Sequence, residues 1–188
     1  MRLLPAASAR RVPWKNGLGS TLELATDADA PGGAWTWRLS AAEMPARARF
    51  SEFRGVDRFI ACLSGPGLTL ERGGARALVP REGEALAFAG EERATGEPLG
   101  PGVRDVNLML RRDRWRGRMT IVRAASLELD APLVLVHAAE NSAVVRGAGS
   151  VCALAAGRVL IASGRVAVAA GGVAVACELH PVPAPERP

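Results

Sequence analysis

The sequence predicts an all-β protein, a sandwich or barrel of many short strands. Apolar and polar residues alternate through stretches of about four to eight residues, the period that sends successive side chains to opposite faces of a strand. Twenty-one glycines and thirteen prolines are scattered along the 188 residues, so turns recur at short intervals. No stretch carries the periodicity of a long amphipathic helix.

Taken in order, Leu22-Glu23-Leu24-Ala25 alternates directly after a glycine-rich turn. Thr21 and Glu23 therefore share one strand face, and Leu22 and Leu24 the other. Trp35, Trp37, Leu39 and Ala41 oppose Thr36, Arg38 and Ser40, as in a half-buried strand. Residues 42–49 suit a helical turn or a loop, with Pro45 against a long helix. Val56 to Leu63 predicts a buried strand. Ser64-Gly65-Pro66-Gly67 then turns the chain into Leu68 to Glu71 as the return strand of a hairpin, and Gly73-Gly74 is the next turn. Ala85 to Phe88 and Val103 to Leu110 are further strands. In the latter, Asp105, Asn107 and Met109 share a face that parity favours as solvated, opposite Val106, Leu108 and Leu110. After a boundary near 113–117 the composition shifts to alanine, valine and glycine, with strands at Met119 to Val122 and Leu133 to His137. A seven-residue rhythm, Gly157-Arg158-Val159, Gly164-Arg165-Val166 and Gly171-Gly172-Val173, predicts a short meander of hairpins.

Composition excludes several classes. The formal charge of +5 invites a nucleic-acid partner, yet the arginines are scattered except at Arg111, Arg112, Arg114, Arg116 and Arg118. There they alternate with Asp113 and Trp115, as a solvated connector does, so nucleic acid is not the expected partner. Cys62, Cys152 and Cys177 sit in apolar runs without metal-ligand or CxxC spacing, as reduced buried thiols do. The N-terminal apolar stretch is too short for a signal peptide, and Arg158 and Arg165 interrupt the most apolar segment, so a cytoplasmic protein without a membrane span is expected. His137 and His180 have no neighbouring ligands, so no metal and no cofactor are expected, and His137 reads as structural. No GxSxG, P-loop or dinucleotide fingerprint is present.

The chemistry concentrates in Pro13-Trp14-Lys15-Asn16-Gly17-Leu18-Gly19-Ser20-Thr21, which holds the only lysine of the chain. A rigid aromatic, an ammonium, a carboxamide and backbone N–H groups of a tight turn form an anion- or carboxylate-binding cluster. With Thr21, Glu23, Arg58, Asp105 and Asn107, this set suits recognition of a small polar ligand more than bond breaking.

These motifs resemble the HutD/Ves family. Pro13 to Gly17 and Trp37-Arg38-Leu39-Ser40-Ala41-Ala42-Glu43 are similar to its opening. Phe50-Ser51-Glu52-Phe53, Gly55-Val56-Asp57-Arg58, the Leu63–Leu70 stretch, Phe88-Ala89-Gly90 and Asp105 to Met109 with Arg111-Arg112 follow in the family's order, over residues 10–122. The resemblance implies a bicupin, two small cupin-like (RmlC-like jelly-roll) β-barrels in one chain. The halves fall at 1–112 and 113–182, with 183–188 as a tail and the first residues free to pair with the second barrel. It implies a cytoplasmic protein tied to control of histidine utilisation, with a small carboxylate ligand of the urocanate or formylglutamate type. Many cupins hold a metal through a histidine-rich motif that this sequence lacks, so the fold imports none. One departure is Leu18, where the family pattern Trp-Lys-Asn-Gly-Gly-Gly has a glycine. A leucine at positive φ costs on the order of 1–3 kcal/mol, so either the position keeps negative φ or the loop is reshaped.

In the binding reading, Lys15 or Arg58 neutralises the carboxylate, Asn16 and Asn107 orient polar groups, Trp14 walls the pocket, and Asp105 and Glu23 hold the cations. The alternatives are a small-acid isomerase or hydrolase using Lys15, and a protein-interaction or nucleic-acid module on the Arg111–Arg118 run. A homodimer is left open.

Overall fold

The computed structural model describes residues 1–5, 9–13, 20–29 and 33–183. Among them every regular element is a strand. The strands, numbered in chain order, form three antiparallel sheets. The central sheet runs β10 (Leu86–Ala89), β6 (Val56–Ser64), β12 (Arg104–Arg111), β4 (Trp37–Glu43), β3 (Ser20–Thr26) and β2 (Arg10–Pro13). A four-stranded sheet runs β5 (Ala48–Arg49), β11 (Ala94–Pro98), β7 (Leu68–Arg72) and β8 (Ala75–Leu78). The largest runs β16 (Ser150–Leu154), β15 (Ala143–Gly147), β17 (Val159–Ala170), β14 (Ser126–Glu140), β18 (Val173–Pro181), β13 (Trp115–Arg123) and β9 (Gly83–Glu84), with β1 (Arg2–Leu3) paired to β17.

The central sheet is covered on both faces. Trp37, Leu39, Val106, Leu108 and Leu110 pack against Met119, Ile121, Leu135, Val175 and Leu179 of the largest sheet. On the reverse, Ile60, Cys62 and Phe88 meet Leu68 and Leu70 of the four-stranded sheet, together with Met44, Val79 and Val103. The largest sheet curls over its own second face, which buries Val134, Val136, Val145, Val166 and Val168. Each such aliphatic side chain, fully buried, contributes roughly 1.5–3 kcal/mol.

The two sides of the molecule are stitched by chain crossings. Besides β1 on β17, the Leu4 N–H donates to the Val159 carbonyl at 2.9 Å, and Arg158 Nη2 donates to the Leu4 carbonyl at 2.6 Å. The β9 strand, between β8 and β10 in sequence, pairs with β13.

Several local expectations give way. Of the helical turn or loop expected over 42–49, the loop is found at 44–47, between β4, which runs to Glu43, and β5 at Ala48–Arg49. The strands flanking Ser64–Gly67 are not a hairpin: β6 stays in the central sheet and β7 belongs to the facing one. The crossing needs Gly65 at φ +84, where a Cβ would lie 2.7 Å from the Val103 Cα. The hairpin falls instead at Gly73-Gly74, both at positive φ, which joins β7 to β8 through a tight two-residue turn. The glycine rhythm does not mark hairpins. Gly164 lies inside β17 at a register shift against β14, and after Gly171-Gly172 the chain enters β18, which pairs with β14 rather than β17. The tail beyond 183 and the segment 14–19 lie outside the described residues.

A candidate ligand-binding cavity on the central sheet

The face of the central sheet turned toward the four-stranded sheet holds a cavity of about 530 Å³. Register explains its lining. Asn107 on β12 pairs with Ser40 on β4 and Ile60 on β6, while Met109 pairs with Arg38 and Arg58. Strand parity therefore brings Arg38, Ser40, Arg58, Asp105, Asn107 and Met109 to one face. Thr21 of β3 lines the same space, and the 48–53 segment supplies Phe50 and Phe53 opposite the polar set.

Arg58 is the most tightly held of these side chains. Its Nη2 donates to Asn107 Oδ1 at 2.7 Å and its Nη1 to the Ser51 carbonyl at 3.3 Å. The guanidinium lies over the rings of Phe50 and Phe88, at 4.8 and 5.0 Å from their centroids. Burial lowers its pKa to about 10 against the pull of Asp105, so it remains a cation at neutral pH. Asp105 is fully buried, and burial pushes its carboxyl up to about 7 although Arg58 pulls it down. The Ala42 amide and the Asn107 carboxamide also favour its charged form, but neither completes a well-formed hydrogen bond to either oxygen. Arg38 stands 3.4 Å from Glu23 through its Nε, and Glu23 lies within 3.8 Å of Arg10. Burial lowers the Arg38 pKa, with Glu23 opposing.

Of the residues singled out from sequence, Thr21, Arg58, Asp105 and Asn107 meet at this cavity. Glu23 stands behind it and braces Arg38. Trp14, Lys15 and Asn16 lie outside the described residues, although Val12 and Thr21, on the strands that bracket them, both line the cavity. The expectation of a solvated face at Asp105 and Asn107 is corrected. Their side chains are buried, because the central sheet has a second sheet on each side. Arg38, Ser40, Met44, Phe50, Phe53 and Met109 are cavity residues that sequence reasoning missed. The signal for the first two was the polar side of the Trp35–Ala41 alternation.

The cavity's donor set does not fit the metal that many cupins carry. Three arginines, Arg38, Arg49 and Arg58, line it, and among the described residues no group of three or more His, Cys, Asp and Glu side chains converges anywhere. His137 is buried on β14, donates Nδ1–H to the Arg158 carbonyl at 3.2 Å, and has its pKa lowered by burial to about 4. Cys62, Cys152 and Cys177 are free thiols. In the arginine run, Arg112 pairs with Asp57 and Glu91, and Arg118 with Glu178, so much of its charge is locally balanced.

A polar cavity on one face of a wholly antiparallel β assembly places the molecule among cupin-like all-β proteins. A cupin 2 conserved barrel domain protein from Leptotrichia buccalis shares the fold with a TM-score of 0.53 at 12% identity, over 89% of this chain and 91% of that one. More particularly, the chain belongs to the HutD family, whose pattern matches residues 6–179. It is 37% identical over 152 residues to an uncharacterized 21.2 kDa protein in the hutC 3′ region of Pseudomonas putida, 79% of each chain. It is 34% identical over 109 residues to protein Ves of Cronobacter sakazakii, 57% of this chain and 59% of that one. Its structure matches a conserved protein of unknown function from Pseudomonas aeruginosa PAO1 with a TM-score of 0.83 at 31% identity, over 95% of this chain and 98% of that one. HutD from Pseudomonas fluorescens SBW25 matches with a TM-score of 0.78 at 28% identity, over 97% and 99%.

Proposed function

We propose that this protein binds a small carboxylate-bearing metabolite, of the urocanate or formylglutamate type, without a metal and in the service of histidine utilisation. The observation that carries this reading is the convergence of Arg38 and Arg58 on a cavity of about 530 Å³ that is walled by Phe50, Phe53, Met44 and Met109. That volume suits a small metabolite, since ligand sites commonly span about 300–1,000 Å³. A guanidinium already fixed by Asn107 and two rings loses little freedom on meeting a carboxylate, which favours affinity. The HutD family and the relative from a hut region support the metabolic setting.

In this reading residues 1–112 and 113–182 are two cupin-like barrels in a cytoplasmic protein, and the first holds the ligand. Trp14, Lys15 and Asn16 belong to the binding set in this reading, since Val12 and Thr21, on the strands that bracket them in sequence, line the cavity. Calorimetric titration with urocanate and formylglutamate tests it. At least one acid is expected to bind the wild type and to lose most of its affinity for Arg58→Met, with thermal melts checking the fold. Absence of binding by either acid to folded wild-type protein would overturn the reading.

A further inference from the structure

Among the described residues, five buried side-chain polar atoms lack a hydrogen-bond partner, and four of them belong to residues lining this cavity. They are Arg58 Nε, both oxygens of Asp105, and Arg38 Nε, which has Glu23 at ion-pair distance, so the open positions centre on Arg58 and Asp105. Native interiors leave few such groups, so a cluster around one cavity marks positions that a bound molecule would complete. The cluster is also polarised. Arg38 and Arg58 flank Met109, whereas Asp105 pairs with Ala42 and Cys62 four residues back along β12. At about 3.3 Å of rise per residue, the two backbone positions lie roughly 13 Å apart. Arg58 reaches along the strand to Asn107, which brings its donors within about two residues, or roughly 7 Å, of the acid.

We propose that the cavity selects an acid that also carries a hydrogen-bond donor, with the carboxylate on Arg38 and Arg58, its N–H on Asp105, and a proton leaving Asp105 for solvent as the ligand seats. This rests on the carboxylate-binding reading and narrows it to a bifunctional class. The direction follows from what surrounds Asp105. Arg58 on β6, the Ala42 amide on β4 and the Asn107 carboxamide on its own strand all favour the carboxylate, and burial alone opposes it. A ligand N–H adds the donor that the two oxygens lack.

The other charged or titratable groups nearby have settled states or partners. Arg38 and Glu23 are paired with each other, and Arg49 with Glu52 at the cavity rim. The Cys62 thiol opposite Asp105 is pushed up by burial and by Asp105 itself, so it stays neutral. Asp105, near 7, is then the group of the cavity poised to change charge around neutrality.

Calorimetry on the full chain tests this with formylglutamate, which carries an amide N–H, against glutarate, which has none. Both are titrated at pH 6 and pH 8 in two buffers of different ionisation enthalpy. Formylglutamate is expected to bind at least about ten-fold tighter than glutarate. Its affinity should rise about ten-fold from pH 6 to pH 8, with close to one proton released per site at pH 6, because the ionised fraction of a group near 7 climbs from about a tenth to nine-tenths. The isosteric Asp105→Asn should abolish the proton release and narrow the gap between the two acids. Proton release is read on the wild type, so the test stands even if that variant unfolds. Equal affinities without proton release would sink the Asp105 anchor while leaving carboxylate binding intact. Affinity that falls as pH rises would mean that Asp105 donates as a neutral acid, and would also overturn the proposal. Failure of both acids to bind would overturn this proposal, and the carboxylate-binding reading would fall with it only if urocanate also fails to bind.

Discussion

Two buried faces in this molecule are built from the same secondary structure and serve opposite ends. The cavity face of the central sheet carries Arg38, Ser40, Arg58, Asp105 and Asn107. The self-covered face of the largest sheet carries valine, leucine and alanine, among them Val134, Val136, Val145, Val166 and Val168. A β interior gains stability from close apolar packing and loses it where polar groups are desolvated, so a stability-driven core should resemble the second face. That the first does not is the observation on which the proposed ligand site rests. The teaching is general: in two covered sheets, the polar interior is the one to interrogate.

The comparison breaks most sharply at Arg58. Replacing it with methionine removes the cation and leaves Asn107 Oδ1 without its donor. Truncating one member of a buried charged pair costs roughly 2–5 kcal/mol, so affinity for a carboxylate ligand should fall about a thousand-fold in calorimetry. No change in the valine-rich face should approach that loss.

The pH dependence of stability sharpens the contrast next. Asp105 has its folded pKa raised to about 7, so its contribution is complete below the unfolded value near 4 and is lost as pH rises toward 7. His137 has its folded pKa lowered to about 4, so its contribution is complete above about 6.5 and is lost as pH falls toward 4. The two slopes have opposite sign across nearly the same window and largely cancel in the wild type. Denaturant melts of Asp105→Asn should expose the histidine, with stability rising by roughly 3 kcal/mol between pH 4 and 6.5. His137→Gln should expose the aspartate, with stability falling by roughly 4 kcal/mol between pH 4 and 7. Parallel curves for the two variants would refute the assignment.

On the apolar face, Val136→Ala should cost about 2 kcal/mol in unfolding free energy and leave ligand affinity within two-fold, since it removes buried methyls from an apolar cluster that does not line the cavity. The smallest effect belongs to Arg165→Ala. Its pairing with Asp130, at 3.8 Å and largely exposed, should contribute below about 0.5 kcal/mol.

Much of the architecture was legible in the chain, and the misreadings share a cause. The alternation at Trp37–Ala41 and at Asp105–Leu110 identified two strands whose faces differ, and both strands are present. Parity states that the faces differ; it cannot say that both are covered. Asp105 and Asn107 therefore read as solvated, and Arg38 and Ser40 were passed over. Only the sheet order, with β4 and β12 adjacent in a layer flanked on each side, turns those polar faces inward. Glycine misled in a related way. Gly65 and Gly164 do mark positive φ, but one serves a crossing between sheets and the other sits opposite a bulge in β14. Local conformation was readable there, whereas the partner strand was set by distant residues.

The crossings of the chain bear on inheritance as well as on packing. Leu3 and Leu4 are held against β17 more than 150 positions later, and β9 completes the edge beside β13. A gene cut between codons 112 and 113 would take β1 and β9 away from the largest sheet and uncover the apolar face of the central sheet that packs against it. Exchange of either part alone would therefore break strand pairings that the other part completes, so the chain is best inherited as one unit.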